Sequence, residues 1–294
     1  KAVFVLSIIV SGVTMYVFTG SFLATLFYLY APYRIVNLFI RGSIGESIAF
    51  VWYPLLAWLG KRMVVEKKPH LIGLFAAFLG ILIITHNASA LLFTPILVLY
   101  VCGVVFFEKK KTLRAFAYPL IGIILGFGAA AFFWLPALIE QQYTVLNTGI
   151  LQRFDRFVSP LELVTGLGGT RDFPLTIGIF HITAVVFILT LFFIKKSQRQ
   201  VVLISAMLSI VFLLMTPFAN VFWEKVPIFS SIDFAWRLLG ILTFIVAAII
   251  GYGKKKLILQ VVSILLLIGA VWQGMRLLPQ DRTYFPDGYY ESND

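Results

Sequence analysis

Three polar side chains stand at helical spacing near the start of the chain, Arg34, Asn37 and Arg41, and Glu46 follows them. Separations of three and four residues put the first three on one face of a helix, while Glu46 enters the next apolar segment about one turn in. Two guanidiniums on one face can grip a phosphate or pyrophosphate bidentately, and a carboxylate inside an apolar segment needs a partner or a task. Two readings fit these residues. Either the group binds an anionic substrate, or the arginines touch lipid headgroups and Arg41 neutralises Glu46 to hold the fold.

Four further groups carry weaker signals. His86 and Asn87 follow Thr85 at the end of one apolar segment, where Asn87 and Ser89 can cap the next helix or contact a substrate hydroxyl. The triplet Asn87, Ala88, Ser89 also spells a glycosylation acceptor, but its place against a membrane argues against that use. Glu140 closes the run Phe133, Trp134, Leu135, Pro136, either as a solvated end residue or as a pocket carboxylate. Arg153, Asp155 and Arg156 read as a solvated ion-pair cluster. Arg237 falls just inside an apolar segment, where an unpaired guanidinium is costly, and Asp233 four residues earlier can pair with it. Free N–H groups at that helix start also favour an anion.

The elements that must position these residues are apolar. With 60% hydrophobic and 13% charged residues, the 294-residue chain is an integral membrane protein. Apolar segments at 2–18, 44–59, 71–85, 88–107, 116–138, 174–194, 201–216, 236–252 and 257–275 predict an all-α, polytopic transmembrane bundle of about eight or nine spans, several near the minimum length for a spanning helix. Between the first two, a short apolar stretch interrupted by Pro32 predicts a re-entrant or interfacial helix near residues 21–41. Residues 141–173 form the longest connection. Trp52, Tyr53, Trp134, Trp223 and Trp236 lie near segment ends and fit interfacial anchoring.

Charge orients the bundle. Lys61, Arg62, Lys67 and Lys68, then 109–111 with Arg114, then Lys195, Lys196 and Arg199, then 254–256 occupy every second loop, and Lys1 is counted with them. Only Glu66 and Glu108 oppose these cations. The positive-inside rule makes that side cytoplasmic, so the motif-bearing loops face outward. The net charge of +11 is thus an orientation signal spread over short loops, which excludes nucleic acid as a partner. His70, His86 and His181 form no ligand spacing with the lone Cys102, which excludes a His/Cys zinc site; no cofactor is evident, and a carboxylate-bound divalent cation stays open. Cys102 reads as a small buried hydrophobe. The expected organisation is one membrane domain over residues 1–280, an internal piece of a longer chain, with 281–294 starting an outer linker or domain. Oligomeric state is not set by the sequence.

The pattern Tyr30 to Glu46, with Ala31, Pro32, Tyr33, Arg34, Asn37, Leu38, Arg41 and Gly42 between, followed by His86 and Asn87, by Phe133 to Glu140 and by Asp233 to Arg237, resembles the multi-pass membrane family named 6-pyruvoyl-tetrahydropterin synthase-related, and more distantly YfhO-like membrane proteins. The resemblance covers nearly the whole chain. It implies a GT-C-like glycosyltransferase architecture that uses a polyprenyl-phosphate sugar at the outer membrane face, and not pterin chemistry, whose zinc-binding histidine set is missing here. Such an enzyme is expected to carry an acidic residue in its first outer loop. No Asp or Glu precedes Glu46, so that residue is Glu46 itself or lies upstream of Lys1. Arg34, Asn37, Arg41, His86, Asn87, Glu140, Asp233 and Arg237 then become the expected substrate contacts. The rival classes are a transporter or flippase of a lipid-linked intermediate, with the arginines as headgroup contacts, and a non-catalytic membrane scaffold.

Overall fold

The computed structural model describes residues 2–107, 112–140, 143, 157–167, 169, 173–194, 199–226, 232, 234–252 and 257–276. Every regular element among them is helical: α1 Ala2–Thr19, α2 Phe22–Leu29, α3 Pro32–Phe39, α4 Ile44–Glu66, α5 His70–Thr85, α6 Asn87–Phe107, α7 Leu113–Ala129, α8 Ala131–Glu140, α9 Pro160–Thr165, α10 Ile179–Ile194, α11 Arg199–Leu214, α12 Asn220–Lys225, α13 Leu238–Tyr252 and α14 Leu257–Arg276. Among the described residues, four helices, α1, α4, α6 and the continuous stretch Ala235–Tyr252, are long and apolar enough to cross a membrane, and the number rises to as many as seven if each of three bent helix pairs is one span.

Helix α4 is the axis. It packs against α1, α5, α6 and α7 and gives the bundle two ends, marked by Glu46 and Glu66. At the Glu66 end Arg62 donates from Nη2 to Glu66 at 2.9 Å and from Nε to its other oxygen, and Lys68 Nζ lies 3.2 Å from the same carboxylate. Helix α13 lies centrally, buried along almost its whole length. Its start meets the Glu46 end, and its last turns reach the other end, where Gly251 lies against Thr19 and Ala24.

Those contacts set the course of the first forty residues. Ser7 and Ser11 on α1 hold Arg34 near the Glu46 end, whereas Thr19 lies beside Gly251. Helix α1 therefore descends from the Glu46 end; Lys1, grouped above with the Lys61 to Lys68 cations, lies outside the described residues. Helices α2 and α3, bent by 47°, climb back from Gly251 to Glu46. They form one apolar pair bent at a short break, the form taken by a broken span or by a re-entrant loop. The apolar stretch is interrupted at Pro32 as expected: α2 ends at Leu29 and Pro32 opens α3, at a first helical position where its missing N–H costs nothing. Helix α1 fits closely because Ser7, Ser11, Gly12 and Thr14 form its buried face; a Cβ on Gly12 would sit 3.2 Å from Leu29 Cδ1.

Two smaller expectations also change. Tyr53, Trp223 and Trp236 are buried inside the bundle, and Tyr53 packs on Phe50 and Phe93, so these three are core residues and not interfacial anchors. Cys102 is exposed on α6, not buried. The segment 116–138 is broken at Ala130, where α7 gives way to α8 at 66°.

Candidate functional site

The polar group at the Glu46 end is built by the stop of α3. After Phe39 the chain unwinds: Arg41 N–H donates to Val36 O at 2.9 Å, Ser43 N–H donates to Asn37 O at 3.1 Å, and Gly42 adopts φ +60°. Left-handed backbone is unfavourable for a residue with a Cβ, which explains glycine at a position with open space around it. This turn swings Arg41 back over α3. Its Nη1 donates to Glu46 Oε2 at 2.6 Å, to Tyr33 Oη at 3.2 Å and to Asn37 Oδ1, while Tyr33 O–H donates to Glu46 Oε1. Glu46 is 1% exposed and Arg41 16%. Both carboxylate oxygens are thus engaged, as a charge in an apolar interior requires. The guanidinium lies 4.5 Å from the Trp236 ring and 5.7 Å from Phe173, which arrives from the end of the long 141–173 connection.

His86 joins this group from the α5–α6 turn. Its ring lies against Gly45, where an added Cβ would stand 2.8 Å from Thr85 O and 3.1 Å from His86 Cδ2. Nδ1 accepts the backbone N–H of Ser89 at 3.1 Å and lies 2.8 Å from Ser89 Oγ, which in turn accepts the Tyr53 hydroxyl at 2.9 Å. His86 itself is therefore the side chain that caps α6, not Asn87 or Ser89 as expected. Burial pushes the His86 imidazole below its ordinary value; Glu46 opposes that, and Arg237 and Arg41 add to it.

Arg237 stands at the half-buried end of the 3-10 turn Ala235–Arg237, ahead of α13. It has no carboxylate partner among the described residues, and its Nε is buried without a hydrogen-bond partner. Asn37 Nδ2 and Trp236 Nε1 are buried donors in the same condition. Asp233, its expected partner, lies outside the described residues, as do Arg153, Asp155 and Arg156.

The expected site residues therefore divide. Asn37, Arg41 and Glu46 are hydrogen-bonded together, and His86 feels the charges of Glu46, Arg41 and Arg237. Arg34 does not share their face. It is 1% exposed, donates from Nη2 to Ser7 O at 3.1 Å and to Ser11 Oγ at 2.7 Å, and lies 4.8 Å from the Phe50 ring. The helix ends before Arg41, so the spacing that aligned the two arginines does not persist. Asn87 is exposed and its side chain accepts only the neighbouring Ala88 N–H. Glu140 is exposed at the tip of α8, a helix with no buried residue, and has no hydrogen bond or ion pair among the described residues. No group of three metal-ligating side chains occurs among the described residues. Tyr33, Tyr53 and Ser89 were not among the expected site residues. Tyr33 was findable, since it stands four residues before Asn37 on one helix face; the Tyr53 to Ser89 contact joins separate helices and left no local signal.

Comparisons with family models, curated proteins and solved structures return no match.

Proposed function

We propose that this is a membrane-embedded glycosyl-transfer protein of a prokaryotic plasma membrane, with the Glu46 end facing outward, and that this end receives the phosphate of a polyprenyl-phosphate sugar. The observation that carries the reading is a charge balance. Arg41 and Glu46 cancel each other, His86 is held toward its neutral form, and Arg237 remains as a half-buried cation without a carboxylate among the described residues. A half-buried cation in a low-dielectric setting favours an anion, and an arginine fork suits phosphate oxygens. The resemblance described above supplies the substrate class.

In this reading Arg237 and the open edge of Arg41 contact the donor phosphate. The acceptor hydroxyl oxygen bonds to the anomeric carbon, the bond from that carbon to the phosphate oxygen breaks, and the lipid phosphate leaves with the electron pair while the acceptor proton is lost to a base. Positive charge beside the leaving phosphate stabilises the charge that develops there. Glu46 holds Arg41 in place, since both its oxygens are occupied, and Arg34 ties α3 to α1 without touching the donor.

The test is equilibrium binding of a radiolabelled polyprenyl-phosphate sugar to the protein in nanodiscs, followed by an assay of sugar release to water or to an alcohol acceptor. Saturable binding that falls about tenfold or more in Arg237→Ala, with the fold intact, is expected from the loss of a charge-assisted hydrogen bond. Binding that is unchanged in Arg237→Ala removes the site. Saturable binding with no transfer, accompanied by movement of the labelled lipid between leaflets, replaces the enzyme by a flippase.

A further inference from the structure

The capping of α6 by a histidine fixes more than a helix end. A backbone N–H is an obligatory donor, so the ring nitrogen that accepts Ser89 N–H at 3.1 Å carries a lone pair and no proton. That nitrogen is Nδ1, and the proton of the neutral ring must therefore be on Nε2. The hydroxyls reinforce the assignment. Tyr53 O–H donates to Ser89 Oγ at 2.9 Å, leaving the Ser89 proton to point at Nδ1 across 2.8 Å. Tyr53 is fully buried and Ser89 nearly so, so neither has solvent as an alternative partner. Protonating Nδ1 would set an N–H against the Ser89 N–H and break the cap. Nε2 has no protein partner among the described residues, and the ring is only partly buried.

The surroundings suit a neutral donor. The charged groups acting on the ring are Glu46 from α4, Arg41 from the α3–α4 turn and Arg237 from the turn ahead of α13, while Tyr53 and Ser89 face its other nitrogen. Gly45 brings α4 against the ring edge and fixes its plane.

We infer that His86 is a locked, neutral hydrogen-bond donor whose Nε2–H binds an oxygen of a phosphate ester at the Glu46 end. This rests on the reading that a lipid phosphate binds there. It adds a residue whose contribution differs from that of an arginine: a donor of fixed direction that brings no charge, and so fits one oxygen without deepening the attraction for inorganic anions in general.

The test uses the full 294-residue chain in nanodiscs with 15N-labelled histidine, and farnesyl phosphate as the probe. The His86 signals are assigned by their loss in His86→Asn, a change that keeps a good helix cap but removes Nε2–H. Expected are a pyridine-type Nδ1 and a pyrrole-type Nε2 at neutral pH that persist to a lower pH than in a free histidine. Addition of farnesyl phosphate should move the Nε2–H proton downfield, and His86→Asn should weaken farnesyl phosphate binding about tenfold while thermal unfolding stays near that of wild type. A proton on Nδ1, or a ring charged near neutral pH, overturns the inference. So does wild-type binding that leaves Nε2–H unmoved, or a His86→Asn protein that binds as wild type does. If farnesyl phosphate fails to bind the wild type at all, the functional reading falls and the ligand half of this inference falls with it, whereas the tautomer result still reports on the cap.

Discussion

Replacing Arg41 by alanine strands Glu46 inside the bundle. The carboxylate is 1% exposed, and with Arg41 gone it keeps only the Tyr33 hydroxyl. Breaking one partner out of a buried ion pair costs about 3 to 5 kcal/mol, most of it the uncompensated charge left behind. Glu46→Gln should be milder. Arg41 is 16% exposed, keeps Asn37, and lies over the Trp236 face at 4.5 Å, so the stranded guanidinium has water, an amide and a ring to turn to. The expected loss is about 1.5 to 3 kcal/mol, that of a hydrogen bond to a charged group. Combining Arg41→Ala with Glu46→Gln removes both charges and should recover about 2 kcal/mol relative to Arg41→Ala. Reversible unfolding in mixed micelles, followed by tryptophan fluorescence, gives all four values. Losses below about 0.5 kcal/mol for Arg41→Ala, or strictly additive effects, would show that the pair behaves like a solvated one and refute the burial argument.

Other outcomes follow from the same geometry. Gly45→Ala should cost about 1 to 3 kcal/mol, since its Cβ meets the Thr85 carbonyl at 2.8 Å and cannot be accommodated by a side-chain shift; unfolding measurements check this, and the His86 signals should move in the same variant. Gly42→Ala should cost about 1 to 2 kcal/mol through backbone strain alone, because nothing lies within 4 Å, and Gly42→Asn should cost less. In a Cys102→Ala background, Ala2→Cys and Ser43→Cys should react with an impermeant maleimide from one side of the membrane and Lys67→Cys from the other; reaction of Ala2→Cys together with Lys67→Cys would overturn the descending course of α1.

The helical bundle was legible in the apolar runs, and the Arg41 to Glu46 pair was legible because a carboxylate one turn inside an apolar helix calls for a nearby cation. What escaped was direction. Arg34 shares helical spacing with Arg41 only if α3 continues through Arg41, and the left-handed turn at Gly42 ends that continuity. Its actual acceptors, Ser7 and Ser11, lie on a helix whose small residues read equally well as a packing face. The short stretch after Gly20 suggested an element at one edge because neither half is long enough alone; taken together, the two pieces on either side of Pro32 are long and apolar enough for one bent span. Aromatic residues near segment ends were misassigned for a related reason. Position along a segment does not distinguish a ring that faces lipid from one that, like Trp236, covers a guanidinium.

In the proposed function a lipid phosphate binds at the Glu46 end, beside Arg237 and His86. A cryo-EM structure of the chain in nanodiscs with farnesyl phosphate bears on it most directly. The account predicts phosphate density within hydrogen-bond reach of the Arg237 guanidinium and of His86 Nε2. Density confined to the Lys61 to Lys68 end, or a Glu46 end that stays free of ligand at saturating concentration, would contradict it.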